Sequence, residues 1–280
     1  CYGVWDYIKN VAPEREKAAN WELYWVGRLP GKRENRRYEG DHILTQHDVE
    51  AGGNFDDTVA FGGWTMDDHH PAGLLYPGKP TIFHPAPSPY GIPYRCLYSR
   101  DTGNLMFAGR NISVTHAALS STRVMATCAV TGQAAGTAAA LSVEQDTSPR
   151  GVYQHHLPEL QQRLMDDDCF LPGFTRKPSL LAQSATLSSD GQGIEQLDGH
   201  DRDRPDEPHA WVGKPGDAIT FTWDEPTRVG MLRCTFDSNL NNDKRMGCTY
   251  PLPSSRNAMP KELVRSYRVE VMDKDGSWRV

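Results

Sequence analysis

NLMFAGRNISVTHAALSSTRVMATCAVTGQAAGTAAAL, Asn104–Leu141, is the stretch on which the reading of the whole chain turns. It opens on an apolar run, Leu105-Met106-Phe107-Ala108, which predicts a buried strand ending on Gly109-Arg110-Asn111. A glycine at a strand end carries no side chain to hold a ligand away from the backbone. Ser120, Ser121 and Thr122 follow, all residue types that cap a helix N-terminus through a side-chain oxygen. The helix they predict runs on to Leu141. Exposed amides at such a helix start favour partial negative charge. Gly132, Ala135, Gly136 and Ala139 would give that helix one nearly smooth face. Plain packing is the commoner use of a smooth face, and contact with a flat cofactor is the rarer one.

Working outward, residues 1–95 are irregular, aromatic and rich in Gly, Pro and His. One helix is expected over Ala12–Leu23, with a strand-like run at Glu22–Val26. Downstream, Leu157, Leu160 and Leu164 recur at helical spacing, and Pro172-Gly173 ends that unit. From Ser184 the texture becomes β. Ala218–Trp223 alternates, Asp224-Glu225-Pro226 turns, and Arg228–Phe236 alternates again. Tyr267–Met272 and Ser277–Val280 flank a turn at Asp273–Gly276. Short strands between turn signals predict a β-sandwich. Cys1-Tyr2-Gly3-Val4-Trp5-Asp6 reads as the middle of a folded segment, and the last hairpin reads as cut short. Truncation at both ends is the expectation.

With 280 residues the chain has room for one large domain or two modest ones. A net charge of −6 gives no electrostatic reason to expect nucleic acid or an anionic membrane as partner. No apolar run approaches the ~18–20 residues that span a bilayer. The six cysteines include no Cys-x-x-Cys pair, so a zinc knuckle or thioredoxin-type site is not expected. Cys234 and Cys248 could form a disulfide in an exported protein or stay as two buried thiols. An exported location is preferred to a cytoplasmic one, although cysteine usage does not decide it, and the oligomeric state is not legible.

Resemblance adds to this. The Asn104–Leu141 run resembles the C-terminal signature of a bacterial family of FAD-dependent oxidoreductases, themselves similar to flavoproteins with a two-part FAD-binding fold. Three upstream blocks are similar in the same order: GKRENRRYEGDHILTQHDV (31–49), FDDTVAFGGWTMDDHHPAG (55–73) and YGIPYRCLYSR (90–100). The likeness covers roughly residues 1–180. It implies an enzyme with FAD as cofactor. Family members begin with a Rossmann unit and its Gly-rich phosphate loop, and here no G-x-G-x-x-G follows a strand. The expected fold is therefore α/β, a partial FAD/NAD(P)-binding-like domain lacking the N-terminal Rossmann unit, plus an all-β C-terminal sandwich. The expected layout places the oxidoreductase portion at 1–148, with a substrate-side region 1–95 and a flavin-side segment 96–145. A helical linker 149–183 and the sandwich 184–280 complete it. By the resemblance, Gly109, Arg110 and Asn111 lie beside the pyrophosphate or ribityl chain. Ser121, Arg123, Val124 and Met125 bring the helix start to the isoalloxazine ring. Arg123 reads equally well as a structural salt-bridge residue.

Trp64-Thr65-Met66-Asp67-Asp68-His69-His70 is the densest ionisable group. A metal site there is disfavoured, because adjacent residues rarely point at one ion, and no metal is expected. A solvated loop is one reading. In the family block, the other, Asp67 and His69 line the face where substrate is oxidised. Imidazole titrates near neutrality, which suits a base that takes a hydroxyl proton, and Asp67 could orient it. His116 is a second candidate base, although either histidine could be a hydrogen-bonded core residue. Arg33 and Arg36, in the run Lys32–Arg37, could contact an anionic substrate or cofactor phosphates. The plainer reading of that run is an exposed charged loop. Trp64 joins them as a substrate-side candidate.

The block Trp211–Phe221 resembles the opening of a galactose-binding-like, discoidin-type sandwich. Trp211 and Trp223 read first as structural residues and only second as sugar-stacking ones. The favoured activity is oxidation of a hydroxyl, or of a C–H beside oxygen, on a small-molecule or carbohydrate-like substrate, with hydride passing to flavin N5. The rivals are a non-catalytic carbohydrate-binding fragment, and a polysaccharide lyase using His69, Tyr94 and Arg36.

Overall fold

The computed structural model describes residues 2–27, 36–72, 76–79, 81–194, 197–202, 209–237 and 263–280. The chain divides into two compact units, residues 1–37 and 38–280.

In the first unit a short helix α1 (Tyr2–Asp6) runs into a π turn, Tyr7–Val11, and a 3-10 turn follows at Arg15–Ala18. Lys9 ties these turns together, its Nζ donating to the carbonyls of Ala18, Ala19 and Trp21 at 2.9, 2.8 and 3.0 Å. The helix expected over Ala12–Leu23 is not formed. Ala12 is extended, with φ −55° and ψ 144°, because it precedes Pro13, whose ring disfavours helical geometry in the residue before it. Residues 22–26 form no strand.

The second unit carries the remaining elements. They are α2 (Gln46–Glu50), β1 (Thr58–Gly62), β2 (Met66–His69), β3 (Thr81–His84), β4 (Tyr90–Pro93), α3 (His116–Thr122), α4 (Met125–Glu144), α5 (Pro149–His155) and α6 (Leu157–Asp166). After them come α7 (Leu180–Gln183), β5 (Thr186–Ser189), β6 (Ile219–Thr222), β7 (Val271–Met272) and β8 (Trp278–Arg279). The strands pair antiparallel in twos: β1 with β4, β2 with β3, β5 with β6 and β7 with β8.

One core joins the elements from α2 to α6. Tyr90, Ile92, Tyr94, Leu97 and Tyr98 are buried together with Leu44, Leu119, Leu141, Leu160 and Leu164. Leu160 and Leu164 come from the expected helical spacing, now α6. The buried charge Asp57 is answered in full by Arg95, with Nε to Oδ2 and Nη2 to Oδ1 both at 2.9 Å. Burial of a carboxylate is tolerable only with such pairing.

Helix α4 is apolar nearly all round, the pattern of a helix covered on every side. Thr127, Thr131, Ala134, Ala138 and Leu141 are buried, on a helix that lies against β1, α5 and α6. Ala129, Gly132, Gly136 and Ala139 form an exposed face. A Cβ placed on Gly132 or Gly136 meets no described atom within 4 Å. The smooth face expected to pack closely thus looks outward. No single helix among the described residues is long and apolar enough to cross a membrane.

Two expected strands differ. Leu105–Ala108 shrinks to one bridge, Tyr98 with Met106, because its neighbour Tyr94–Cys96 is a 3-10 turn and offers no ladder. Arg228–Phe236 forms no strand, since all nine residues are exposed and the alternation buries neither side. Cys234 is an exposed free thiol, and Cys248 lies outside the described residues. In residues 184–280, then, the described β structure is two short antiparallel pairs and one antiparallel bridge, Gln192 with Val212, which is less than a sandwich.

Candidate functional site

The hairpin β2–β3 sets Met66 opposite His84, Asp67 opposite Phe83, Asp68 opposite Ile82 and His69 opposite Thr81. Met66 is buried in the core and fixes the register. Side chains alternate along a strand, so Asp67 and His69 share one side of β2. His69 Nε2 lies 3.5 Å from Asp67 Oδ1, and its Nδ1 lies 3.4 Å from the Thr81 hydroxyl.

Helix α3 packs on this strand. Its first residue, His116, brings Nε2 to 3.0 Å from Asp68 Oδ1. At the other end Arg123, almost wholly buried, donates through Nη2 to the Asp67 carbonyl at 2.8 Å. The same nitrogen is 3.5 Å from Asp67 Oδ2. Asp67 Oδ1 is buried without a hydrogen-bond partner among the described residues. Two neighbouring carboxylates therefore serve different partners on one helix.

Ser120, Ser121 and Thr122 do not start the long helix, as their residue types suggested. They are buried in the last turns of α3, which is capped by Thr115. Each serine hydroxyl finds an interior acceptor instead. Ser120 donates to the Ala117 carbonyl at 2.5 Å, and Ser121 Oγ lies 2.5 Å from both the Trp64 carbonyl and the Tyr90 hydroxyl. Gly62 makes the second contact possible, since a Cβ there would strike the Tyr90 ring. The chain then bends by 95° into α4, whose N-cap is Val124 and which has no side-chain cap. Of the residues expected at the helix start, Val124 and Met125 are there, and Ser121 is not.

Gly109–Asn111 forms a 3-10 turn at α4's flank. Gly109 has φ +83°, a conformation costly for other residues, and the space a Cβ would take holds no described atom within 4 Å. Its amide donates to Thr131 Oγ1 at 3.1 Å, which staples the turn to α4. Arg110 is exposed, and its charge acts on Cys128, whose thiol is pushed up by burial and drawn back by that guanidinium. The Asn111 carbonyl accepts from the Tyr38 amide at 3.0 Å.

On the substrate side, Trp64 is more than half exposed, Arg36 is exposed in the first unit, and Arg33 lies outside the described residues. Tyr94 is unsuited to act as a lyase base. It is buried, donates its hydroxyl to the Pro149 carbonyl at 3.0 Å, and is pushed far above the ordinary tyrosine range by burial. Sequence reasoning passed over Gly62, Thr81 and Tyr90, which join the site only through contacts distant along the chain.

The model of a family described as FAD dependent oxidoreductase matches residues 2–164. No curated protein and no solved structure matches the chain.

Proposed function

The chain belongs to the FAD-dependent oxidoreductase family, and from that premise we propose that it oxidises a hydroxyl, or a C–H beside oxygen, on a carbohydrate-like substrate. Enzymatic redox chemistry and FAD come with the family itself. The reading of the residues rests on one observation above all: Asp67 lies between His69 and Arg123 at the edge of a half-exposed hairpin. The carbohydrate class rests on the resemblance of Trp211–Phe221 to a galactose-binding-like module.

The chain's residues fit the cofactor. Arg110 offers a guanidinium to phosphate oxygens, and Gly109 leaves its backbone open. The uncapped amides where α4 begins at Met125 suit an electron-rich edge. Bound there, FAD supplies a hydride acceptor at N5.

The protein side of the reaction is acid–base. In the reaction His69 keeps its Nε2 side, 3.5 Å from Asp67 Oδ1, towards that carboxylate and takes the substrate's hydroxyl proton at Nδ1, the atom beside Thr81. Arg123 positions Asp67 and touches no substrate. On the other side of β2, Asp68 similarly orients His116.

The proposal extends to the layout: an oxidoreductase portion over 1–148, a linker over 149–183, and a galactose-binding-like module over 184–280. Trp211 supports a structural role in that module. It bonds Ser189 Oγ through Nε1, and Gly191 and Gly213 leave room for its ring.

The test is anaerobic mixing of the FAD-loaded protein with a panel of sugars and sugar alcohols, following loss of the oxidised-flavin absorbance. His69→Gln should keep the flavin spectrum and slow the loss by about 10²-fold or more. Unchanged bleaching would remove His69 from the chemistry. No bleaching by any of the panel, with FAD bound, would overturn the substrate class.

A further inference from the structure

Apart from the hairpin site, and beyond residue 164 where the family match ends, two imidazoles and a carboxylate meet in one place. The loop that carries them starts at Asp198-Gly199-His200. Gly199 is buried with φ +95°, and a Cβ there would run into the Arg176 carbonyl. Glycine alone lets the loop lie so close to residues 175–178. Asp201 then locks it, because its carboxylate accepts from Arg176 Nε at 2.9 Å and Nη2 at 3.0 Å, a two-pronged pair that is largely buried.

That anchoring presents three ligand atoms. Asp198 Oδ1 accepts from the His200 amide at 3.0 Å. Its Oδ2 lies 3.4 Å from His209 Nε2 and 3.9 Å from His200 Nε2. His200 Nδ1 is 3.5 Å from the Thr175 hydroxyl, which orients the ring with Nε2 towards Asp198. The two imidazoles meet edge to face with centroids 4.9 Å apart. One ligand atom from each residue lies within 4.8 Å of the others, and both histidines are only partly exposed.

We propose that Asp198, His200 and His209 bind a divalent transition-metal ion of the zinc class. Metal bonds of ~2.0–2.1 Å in tetrahedral geometry set neighbouring ligand atoms about 3.3 Å apart. The Asp198–His209 separation, 3.4 Å, is close to that value, and the Asp198–His200 separation, 3.9 Å, reaches it by a shift of a little over half an ångström. Two imidazoles with one carboxylate select zinc, nickel or cobalt over magnesium or calcium, which prefer all-oxygen shells. Three protein ligands leave at least one coordination position for water. The Thr175 hydroxyl and the Arg176–Asp201 pair form the supporting layer that fixes ring orientation at such sites.

The test uses the full chain, stripped with a chelator and titrated with ZnCl2 and, separately, CoCl2. The expected result is one equivalent bound per chain at micromolar affinity or better, a visible Co2+ ligand-field band, and a rise in Tm. His200→Gln and His209→Gln should each weaken binding at least about tenfold, whereas His47→Gln, an exposed histidine elsewhere, should leave it unchanged. Absence of stoichiometric binding by the unmutated chain would overturn the site, and so would binding that survives the double variant. If the variants do not fold, the Co2+ band and competition with a chromogenic chelator decide on the unmutated chain, where no band and no competition refute it.

Discussion

Arg123 closes α3 by reaching back 56 positions to the carbonyl of Asp67, which it holds at 2.8 Å through Nη2. One guanidinium therefore fixes both the backbone of β2 and the carboxylate beside His69. Arg123→Gln should cost about 1–3 kcal/mol in urea unfolding, the usual loss when a buried charged hydrogen bond is removed. It should also slow substrate-driven flavin reduction more than it weakens FAD binding. Arg123→Lys keeps the charge without the planar fork, so it should recover stability better than rate. Reduction rates equal to the parent's in both folded variants would show that Arg123 has no positioning role.

The contacts of Ser121 make a second, sharper prediction. Its Oγ meets both the Tyr90 hydroxyl and the Trp64 carbonyl at 2.5 Å. Tyr90→Phe removes one partner and leaves Ser121 bonded to Trp64, so the expected loss is about 1 kcal/mol. Ser121→Ala strands a buried tyrosine hydroxyl and a carbonyl together, and the expected loss is roughly 2–3 kcal/mol. Denaturant unfolding of both variants gives the order. A costlier Tyr90→Phe would mean that Ser121 is not the link that satisfies both groups.

These contacts also explain how far the sequence could be read. Local signals carried well: Leu157, Leu160 and Leu164 gave α6, and Asp273–Gly276 gave the β7–β8 turn. The serine–threonine run failed as a capping signal because hydroxyls satisfied inside a fold look the same in sequence as hydroxyls at a helix start. The small-residue stripe of α4 identified the helix but not which side was covered, since Ala and Thr line the buried side too. Asp67 and His69 were legible as a pair through the family block, and the strand that carries them was not. Their partners Arg123 and Thr81, and the Tyr90–Ser121 link, depend on chain distances that no local pattern records.

Acid and alkali should unfold the second unit through different groups. Burial raises Tyr90 to about 12, against the opposing bond from Ser121. A raised folded value means that this contribution is complete below the unfolded pKa of about 10. It is then lost as pH climbs towards 12. Asp41 moves the other way, lowered first by the Arg150 hydrogen bond. Its contribution is complete above the unfolded pKa of about 3.9 and is lost as pH falls through the lower folded value. Tyr90→Phe should flatten the alkaline limb of a Tm-against-pH curve and leave the acid limb alone, and Asp41→Asn should flatten the acid limb. An unchanged alkaline limb in Tyr90→Phe, or an unchanged acid limb in Asp41→Asn, would refute the assignment.

Two glycines should respond to alanine with opposite signs. Gly53 has φ +58°, and a Cβ there would strike the carbonyl oxygen of Gly91. Backbone meets backbone at that point, with the Gly91 amide donating to Gly52 at 3.2 Å, so no flexible side chain can yield. Left-handed geometry alone costs a non-glycine residue roughly 1–2 kcal/mol, and the clash adds to it, so Gly53→Ala should lose more than about 2 kcal/mol. Gly132 sits inside α4 in helical geometry with no described atom within 4 Å of its added Cβ. There alanine gains helix propensity worth ~0.8–1 kcal/mol. Urea unfolding of the FAD-free chain should therefore show Gly132→Ala more stable than the parent and Gly53→Ala much less stable. A destabilised Gly132→Ala would mean that the outward face of α4 is covered in solution, and the smooth stripe would then be a packing surface after all.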